Sequence, residues 1–314
     1  MNSWQDEFGD AFARRRVLVT GSTGFIGRHL CEALVALGAE VHGVCRSAET
    51  VPFTYGYTGW AVDLADAEAV RATVARVTPQ LVYHLAGRVA AGQELALVLP
   101  TLQANLVGSV HLLLAVTESP CDRTVVLGSS EELVGGSPNS PYAAAKLAAS
   151  LYTDMFQHVY GIPSVMVRPF MTYGPRQGST KLIPHTISRL LQDKPPRLTS
   201  GSRICDFVYV GDVVRGLLRA GIQPSIEGKA IELGTGVGTS IRDVVETLVE
   251  LTGSRVRPEF GAVPDRIGEQ PQVAAPQPTQ ELLAWQPVWS LRVGLMETVN
   301  WFRDQVEGPS HDAS

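Results

Sequence analysis

Tyr142 and Lys146 stand four residues apart in Ser140-Pro-Tyr-Ala-Ala-Ala-Lys-Leu147, a run of strong helix formers behind a proline. On a helix such a pair shares one face. A phenol near pKa ~10 is a poor acid–base group at neutral pH, and an adjacent ammonium draws that pKa toward the working range. Alone, the spacing is a frequent accident, for which a surface pair is the ordinary explanation. It does not stand alone. Twelve residues earlier lies Ser130, inside Gly128-Ser-Ser-Glu-Glu132 at the end of a predicted strand, where side chains meet a ligand crevice. Asn105 adds a polar residue to an otherwise apolar helical stretch. Together these residues have the chemistry of proton transfer to or from a carbonyl or hydroxyl, with Glu131 and Glu132 as additional acids or bases.

The N-terminal part of the chain has the pattern of a nucleotide-binding turn. Gly21-Ser-Thr-Gly-Phe-Ile-Gly27 follows a predicted strand, Arg16–Thr20, and opens a predicted helix, Phe25–Leu37. The glycines allow a tight turn and close backbone approach, while the helix start offers amides to a pyrophosphate. Gly21, Thr23, Gly24, Phe25, Ile26 and Gly27 are therefore the expected dinucleotide loop. An NAD site usually has an acid at the end of the second strand. Here that strand ends Val44-Cys-Arg-Ser47, and Arg46 with Ser47 suits the 2′-phosphate of NADP. NADP(H) is thus preferred and NAD(H) remains possible; Arg46 as a solvated loop residue is the alternative. Asp63, after the third strand, is either a partner for the adenine amino group or a helix N-cap.

Elements in strict alternation must carry these residues. Glu40–Cys45, Trp60–Val62, Leu81–Leu85, Thr124–Leu127 and Ser164–Val167 read as further strands, with helical patterns such as Asp66–Val77 between them. That alternation predicts an α/β, Rossmann-like doubly wound parallel sheet over residues 16–168. Asp206–Val210 and Ala230–Leu233 read as strands returning to it, so residues 206–233 are assigned there. Residues 169–205 and 234–303 form the expected smaller C-terminal substrate-binding region, and residues 1–15 and 304–314 the expected tails.

The chain has 314 residues, 45% hydrophobic and 18% charged, which is the composition of a globular enzyme able to bury a large core. A net charge of −5 gives no footprint for nucleic acid, so an anionic ligand must be held by local arginines, lysines and amides. Four dispersed cysteines without a CxxC pair read as reduced thiols, not a disulfide frame or zinc site, and no metal is expected. No uninterrupted apolar stretch is expected to span a membrane, and the polar N-terminus is unlike a signal peptide; the expected location is the cytoplasm.

The chain resembles the extended short-chain dehydrogenase/reductase family, in its nucleotide-sugar epimerase, dehydratase and ketoreductase branch, over nearly all of residues 15–303. The resemblance rests on Val19-Thr-Gly-Ser-Thr-Gly-Phe-Ile-Gly27, His84-Leu-Ala-Gly87, Pro141-Tyr-Ala-Ala-Ala-Lys146 and Arg168-Pro-Phe-Met-Thr-Tyr-Gly-Pro175. Asp206-Phe-Val-Tyr-Val-Gly-Asp212 and Leu282-Leu-Ala-Trp-Gln-Pro287 extend it. It implies that Tyr142 is the acid–base residue, that Ser130 orients the reacting oxygen, and that Lys146 binds the nicotinamide ribose and tunes Tyr142. It further implies Leu64, Leu85, Ala86, Gly87 and Asn105 around the cofactor, Arg203 and Arg266 on a diphosphate, and a homodimer formed through the helices Leu102–Val116 and Tyr142–Tyr160. The departures are a short interval between Ser130 and Tyr142, Met171 in place of the usual Asn, and Cys205 in place of the usual Arg; all three concern the sugar side.

Three reactions share this scaffold. A 4-epimerase removes and returns one hydride and has no use for two adjacent acids. A 4,6-dehydratase would employ Glu132 and Glu131 as base and acid. A 4-ketoreductase consumes NADPH, with Tyr142 protonating the oxygen at C4. The NADP-type strand end and the Ser-Ser-Glu-Glu run favour the reductase acting on a 4-keto-6-deoxy nucleotide sugar, with dehydratase second and epimerase third. A non-catalytic NAD(P)-binding sensor is a further alternative, opposed by the presence of both Tyr142 and Lys146.

Overall fold

Arg16-Val-Leu-Val-Thr20, Leu81-Val-Tyr-His84 and Arg123-Thr-Val-Val-Leu127 are near-continuous apolar runs, as strands covered on both faces must be. The computed structural model describes residues 4–46, 56–89, 92–133, 137–265, 268 and 270–307. In it the strands are β1 (Arg16–Thr20), β2 (Glu40–Cys45), β3 (Thr58–Ala61), β4 (Leu81–His84), β5 (Arg123–Leu127) and β6 (Ser164–Pro169), followed by β7 (Met171–Tyr173), β8 (Ile204–Tyr209), β9 (Ala230–Leu233) and β10 (Gly238–Ser240). The helices are α1 (Trp4–Phe8), α2 (Phe25–Ala36), α3 (Ala67–Val77), α4 (Val98–Leu102), α5 (Gly108–Thr117) and α6 (Pro141–Tyr160). After them come α7 (Leu182–Leu191), α8 (Val210–Ile222), α9 (Ile241–Thr252), α10 (Pro276–Leu283) and α11 (Leu291–Glu307).

The chain divides into two units. The first comprises Met1–Pro169, Val214–Leu233 and Gln277–Trp285. Its sheet has seven strands in the order β3-β2-β1-β4-β5-β6-β9, every neighbouring pair parallel. This is the doubly wound Rossmann-like arrangement, with the order reversing between β1 and β4, where ligands of such sheets bind. Helix α3 shows how the sequence builds one layer. Asp66 caps it by accepting from the Ala69 amide, and Val70, Val74 and Val77 recur at helical spacing on its buried face. They pack with Leu112, Leu113 and Val116 of α5 over Leu18 and Val82 of the sheet. Each such aliphatic side chain contributes about 1.5–3 kcal/mol by leaving water.

The N-terminal residues are not the tail expected. Phe12 is fully buried and Phe8 nearly so, and Glu7 pairs with Arg219 at 2.8 Å. Trp4, Phe8 and Phe12 recur every four residues, an apolar stripe set within an otherwise polar, acidic segment. At the other end α11 continues to Glu307, beyond the expected boundary at 303.

The second unit comprises Phe170–Val213, Gly234–Pro276 and Gln286–Ser314. It holds a three-stranded sheet in the order β10-β8-β7. Here the structure corrects an expectation: β9 joins the large sheet beside β6, but β8 pairs with β7 and antiparallel with β10 instead. Asp206 and Asp212 of the Asp206–Asp212 motif are both 1% exposed. Asp206 accepts from the Thr235, Gly236 and Ala274 amides, and Asp212 from those of Val288 and Trp289. Buried carboxylates thus tie distant loops together in this unit.

Candidate active site

The carboxyl end of β1 passes into α2 through the glycine turn. Gly21 has φ +72°, and a Cβ there would lie 2.8 Å from the Ala86 amide nitrogen, so only glycine lets the ends of β1 and β4 approach. Gly24 precedes α2 without any side-chain cap. The first helical bond runs from the Arg28 amide to the Gly24 carbonyl at 3.0 Å. The amides of Phe25, Ile26 and Gly27 therefore have no intrahelical acceptor and face the turn as an anion-binding start. Beside them lies a cleft of about 420 Å³, lined by Gly21, Thr23, Gly24, Arg46, Asp63 and Leu64, and also by Ala86 and Gly87. Sequence reasoning did not single out Arg88, Pro100, Gln103 and Ala104, which line its other wall; they lie in a loop and a helix with no motif. Ser47 falls outside the described residues.

A cleft of this size at the switch point, with an uncapped helix start and glycines that leave room at the backbone, fits a dinucleotide. Arg46 is exposed at its rim. Asp63 is exposed too and accepts from the Ala65 amide at 3.0 Å; the N-cap of α3 is Asp66, not Asp63. Asn105 is the polar residue expected around the cofactor. It is fully buried in a π-helical turn, Gln103–Val107, and spends its amide on the backbone of Arg88, accepting at 2.6 Å and donating at 3.0 Å. It thereby supports Arg88, a residue of the cleft wall. Below it runs a buried polar chain: Ser109 donates to the Asn105 carbonyl at 2.8 Å, His84 Nε2 meets Ser109 at 2.8 Å, and His84 Nδ1 meets Thr20 at 2.7 Å.

The run Leu95–Thr117 that holds Asn105 is, by length and composition, apolar enough to cross a membrane, against the expectation from uninterrupted stretches. Thr101, Gln103, Asn105 and Ser109 interrupt it without adding charge. Asn105 and Ser109 bond within the first unit, as polar groups of a core helix do, while the Thr101 hydroxyl is buried without a hydrogen-bond partner.

Tyr142 and Lys146 start α6, where Ser140 accepts from the Ala143 amide and Pro141 takes the first helical position. Lys146 is buried and donates from Nζ to the Leu127 carbonyl at 2.6 Å. A Cβ on Gly87 would stand 3.6 Å from the same nitrogen, so the ammonium lies beside the cleft. Burial pulls the Lys146 pKa down to about 8, partly opposed by the Glu132 charge. Tyr142 is half-buried. Burial pushes its phenol up to about 12; a hydrogen bond with Ser129 lowers it, and Glu132 and Glu131 raise it. The hydroxyl that meets Tyr142 thus belongs to Ser129, one residue before the expected Ser130, which is buried at the head of the following 3₁₀ turn, Ser130–Leu133. The resemblance points to Ser130, whereas the hydrogen bond to the phenol comes from its neighbour Ser129.

The glutamates separate as well. Glu131 is partly exposed. Glu132 is withdrawn from solvent altogether, its carboxylate accepting from the Ser129 amide at 2.7 Å, the Ser150 hydroxyl at 2.5 Å and Arg168 Nε at 2.9 Å. The structure therefore does not present Glu132 as an acid or base for a ligand, because three donors already occupy it. Arg168 and Ser150 were not anticipated; Ser150 had a signal, since it continues the four-residue spacing of Tyr142 and Lys146. Arg203 is half-buried in the second unit, and Arg266 falls outside the described residues.

A parallel sheet that offers a dinucleotide cleft at its switch point, with a lysine-backed tyrosine beside it, defines a nicotinamide-dependent enzyme of the short-chain dehydrogenase type. Comparison with known proteins agrees. The profile of the NAD dependent epimerase/dehydratase family matches residues 17–234. A UDP-glucose 4-epimerase of Mycolicibacterium smegmatis is 29% identical, over 92% of this chain and 99% of its own. A dTDP-D-glucose 4,6-dehydratase of Homo sapiens is 26% identical, over 96% and 94%. The crystal structure of the Thermus thermophilus UDP-glucose 4-epimerase in complex with NAD superimposes with a TM-score of 0.84 at 30% identity, over 92% of this chain and 99% of that one. The chain belongs to the NAD dependent epimerase/dehydratase family and is an NAD(P)-dependent enzyme of the extended short-chain dehydrogenase type.

Proposed function

We propose that this enzyme reduces a 4-keto-6-deoxy nucleotide sugar with NADPH. The observation that carries this reading is Arg46, which stands at the rim of the dinucleotide cleft where NAD sites place an acid. A guanidinium there recognises a 2′-phosphate by charge-assisted hydrogen bonds, and cells keep NADPH for reduction. The withdrawn Glu132 weighs against a dehydratase, which would need that carboxylate at the sugar.

The glycine turn, the first amides of α2, Arg46, Asp63, Ala86 and Gly87 would hold the dinucleotide, which supplies or accepts a hydride when bound. Tyr142 gives its proton to the oxygen that becomes the C4 hydroxyl. Ser129 bonds the phenol, and the Lys146 ammonium offsets the negative charge left on it. Ser130 and Glu131 stand at the same strand end to orient the sugar, and Arg203 and Arg266 are assigned to the diphosphate. The homodimer is assigned to the outward apolar positions of the Leu95–Thr117 run and α6, among them Leu99, Leu114, Leu151 and Tyr160, each more than half exposed. Four free thiols fit a reducing cytoplasm.

A second reading, nucleotide-sugar 4-epimerase, is supported by the likeness to the Mycolicibacterium enzyme over the whole chain. The two separate by stoichiometry. Purified enzyme is mixed with NADPH and a panel of 4-keto-6-deoxy nucleotide sugars while nicotinamide absorbance is followed. Consumption far beyond the enzyme concentration is expected. No net consumption, with parent nucleotide hexoses interconverted at C4 instead, would establish the epimerase.

A further inference from the structure

Glu132 joins three elements of the first unit: the turn after β5 through the Ser129 amide, α6 through Ser150, and β6 through Arg168. Its side chain is fully enclosed, and that of Arg168 is partly exposed. The fit is close enough to dictate a neighbour. A Cβ on Gly128 would lie 2.6 Å from Glu132 Oε1 and 2.9 Å from Met166 Sδ, so the carboxylate can fold back on its own strand only behind a glycine. Ser150 follows Lys146 by four residues, and Lys146 follows Tyr142 by four, so the clamp grips the same stripe of α6 that carries the proton-handling pair.

We propose that Glu132 is a positioning residue: its carboxylate, held by Arg168 and Ser150, fixes the Ser129 amide and thereby sets the Ser129 hydroxyl against the Tyr142 phenol. The proposal rests on the reading of Tyr142 and Lys146 as the proton-handling pair. Glu132 has a second effect through its charge, which favours the protonated form of Lys146 and opposes ionisation of Tyr142. The titratable and charged groups facing the pair are Glu131 and Glu132 from the turn, Arg168 from β6 behind Glu132, and His84 from β4. Of these, Glu132 is the acid that acts on both members.

Removing one member of a buried ion pair strands the other, whereas removing both is far milder. The test therefore compares E132Q with the double variant E132Q/R168M. Three quantities are read: the unfolding midpoint, the titration of Lys146 by carbon NMR of ε-labelled lysine in cofactor-free enzyme, and the single-turnover rate of hydride transfer. The lysine signal is assigned with K146R. The double variant is expected to recover most of the unfolding midpoint that E132Q loses. Its hydride transfer should nevertheless stay at least tenfold slow, and in both variants Lys146 should titrate at least half a unit lower than in the parent. Recovery of the rate together with stability, and an unmoved Lys146, would mean that the clamp only holds the fold. Hydride transfer at the parent rate with loss of a later proton step would mean that Glu132 is itself an acid or base. Should Y142F transfer hydride as fast as the parent, the reading of the pair fails, and the Lys146 titration still judges the clamp.

Discussion

At the scale of single residues the site turns on two perturbed groups on one helical face. Lys146 is buried, with a pKa lowered to about 8, so the ammonium loses its proton as pH rises through that value. Turnover should fall above about pH 8, and Lys146→Arg, which stays charged, should move that alkaline limb upward in a pH–rate profile. Tyr142→Phe should lower kcat by about 10²–10⁴-fold while leaving dinucleotide affinity within about twofold, because the phenol acts on the proton and not on binding. An unchanged kcat would remove Tyr142 from the mechanism. Arg46→Ala should weaken NADPH about tenfold and NADH hardly at all, measured by fluorescence titration, since one charge-assisted contact to phosphate is worth roughly 1.5–3 kcal/mol. Equal losses would return Arg46 to the role of a solvated loop residue.

At the scale of elements the ends of β1, β4 and α5 are joined by Thr20, His84 and Ser109. His84 is held at a pKa of about 3 by burial and by the Lys146 charge, against an ordinary 6.5. The sign follows from proton counting: below pH 6.5 the unfolded chain takes up a proton that the folded chain refuses, so stability is lost as pH falls. At pH 5 the loss amounts to about 2 kcal/mol. Urea unfolding at pH 7.5 and pH 5 should show that extra loss in the parent and not in His84→Gln; equal pH slopes would mean that His84 protonates freely in the fold. The glycine turn is equally demanding. Gly21→Ala combines a positive φ with a clash against the β4 backbone, and should cost about 1–3 kcal/mol of stability together with dinucleotide binding.

For the whole molecule, the apolar side chains left outward on the Leu95–Thr117 run and on α6 call for a partner. A second copy of the chain sediments with it as a particle of twice 33.8 kDa if those faces form the dimer. Leu99→Glu with Leu151→Glu should give monomers at micromolar concentration by analytical ultracentrifugation, because each buries a charge in an apolar contact. A dimer that persists would move the interface elsewhere.

The amino-acid sequence alone determined the doubly wound sheet, the glycine turn and the Tyr142–Lys146 pair. These depend on short-range physics: strand–helix alternation, the steric needs of a turn, and helical periodicity within four residues. It also placed Arg46 at a strand end, since strand length counts residues directly. What only the tertiary structure decided involves partners distant in the chain. Ser129 bonds the Tyr142 phenol from a turn whose amide Glu132 accepts, and Glu132 in turn is held by Arg168 of β6 and Ser150 of α6. The same holds for Asn105, drawn to Arg88; for β8, taken into the small sheet; and for Phe12, buried ahead of the first strand. No local propensity distinguishes a catalytic carboxylate from one that holds a neighbouring turn. That choice is made by which donors the folded chain brings to it, and a buried carboxylate takes every donor within reach because leaving water uncompensated costs more.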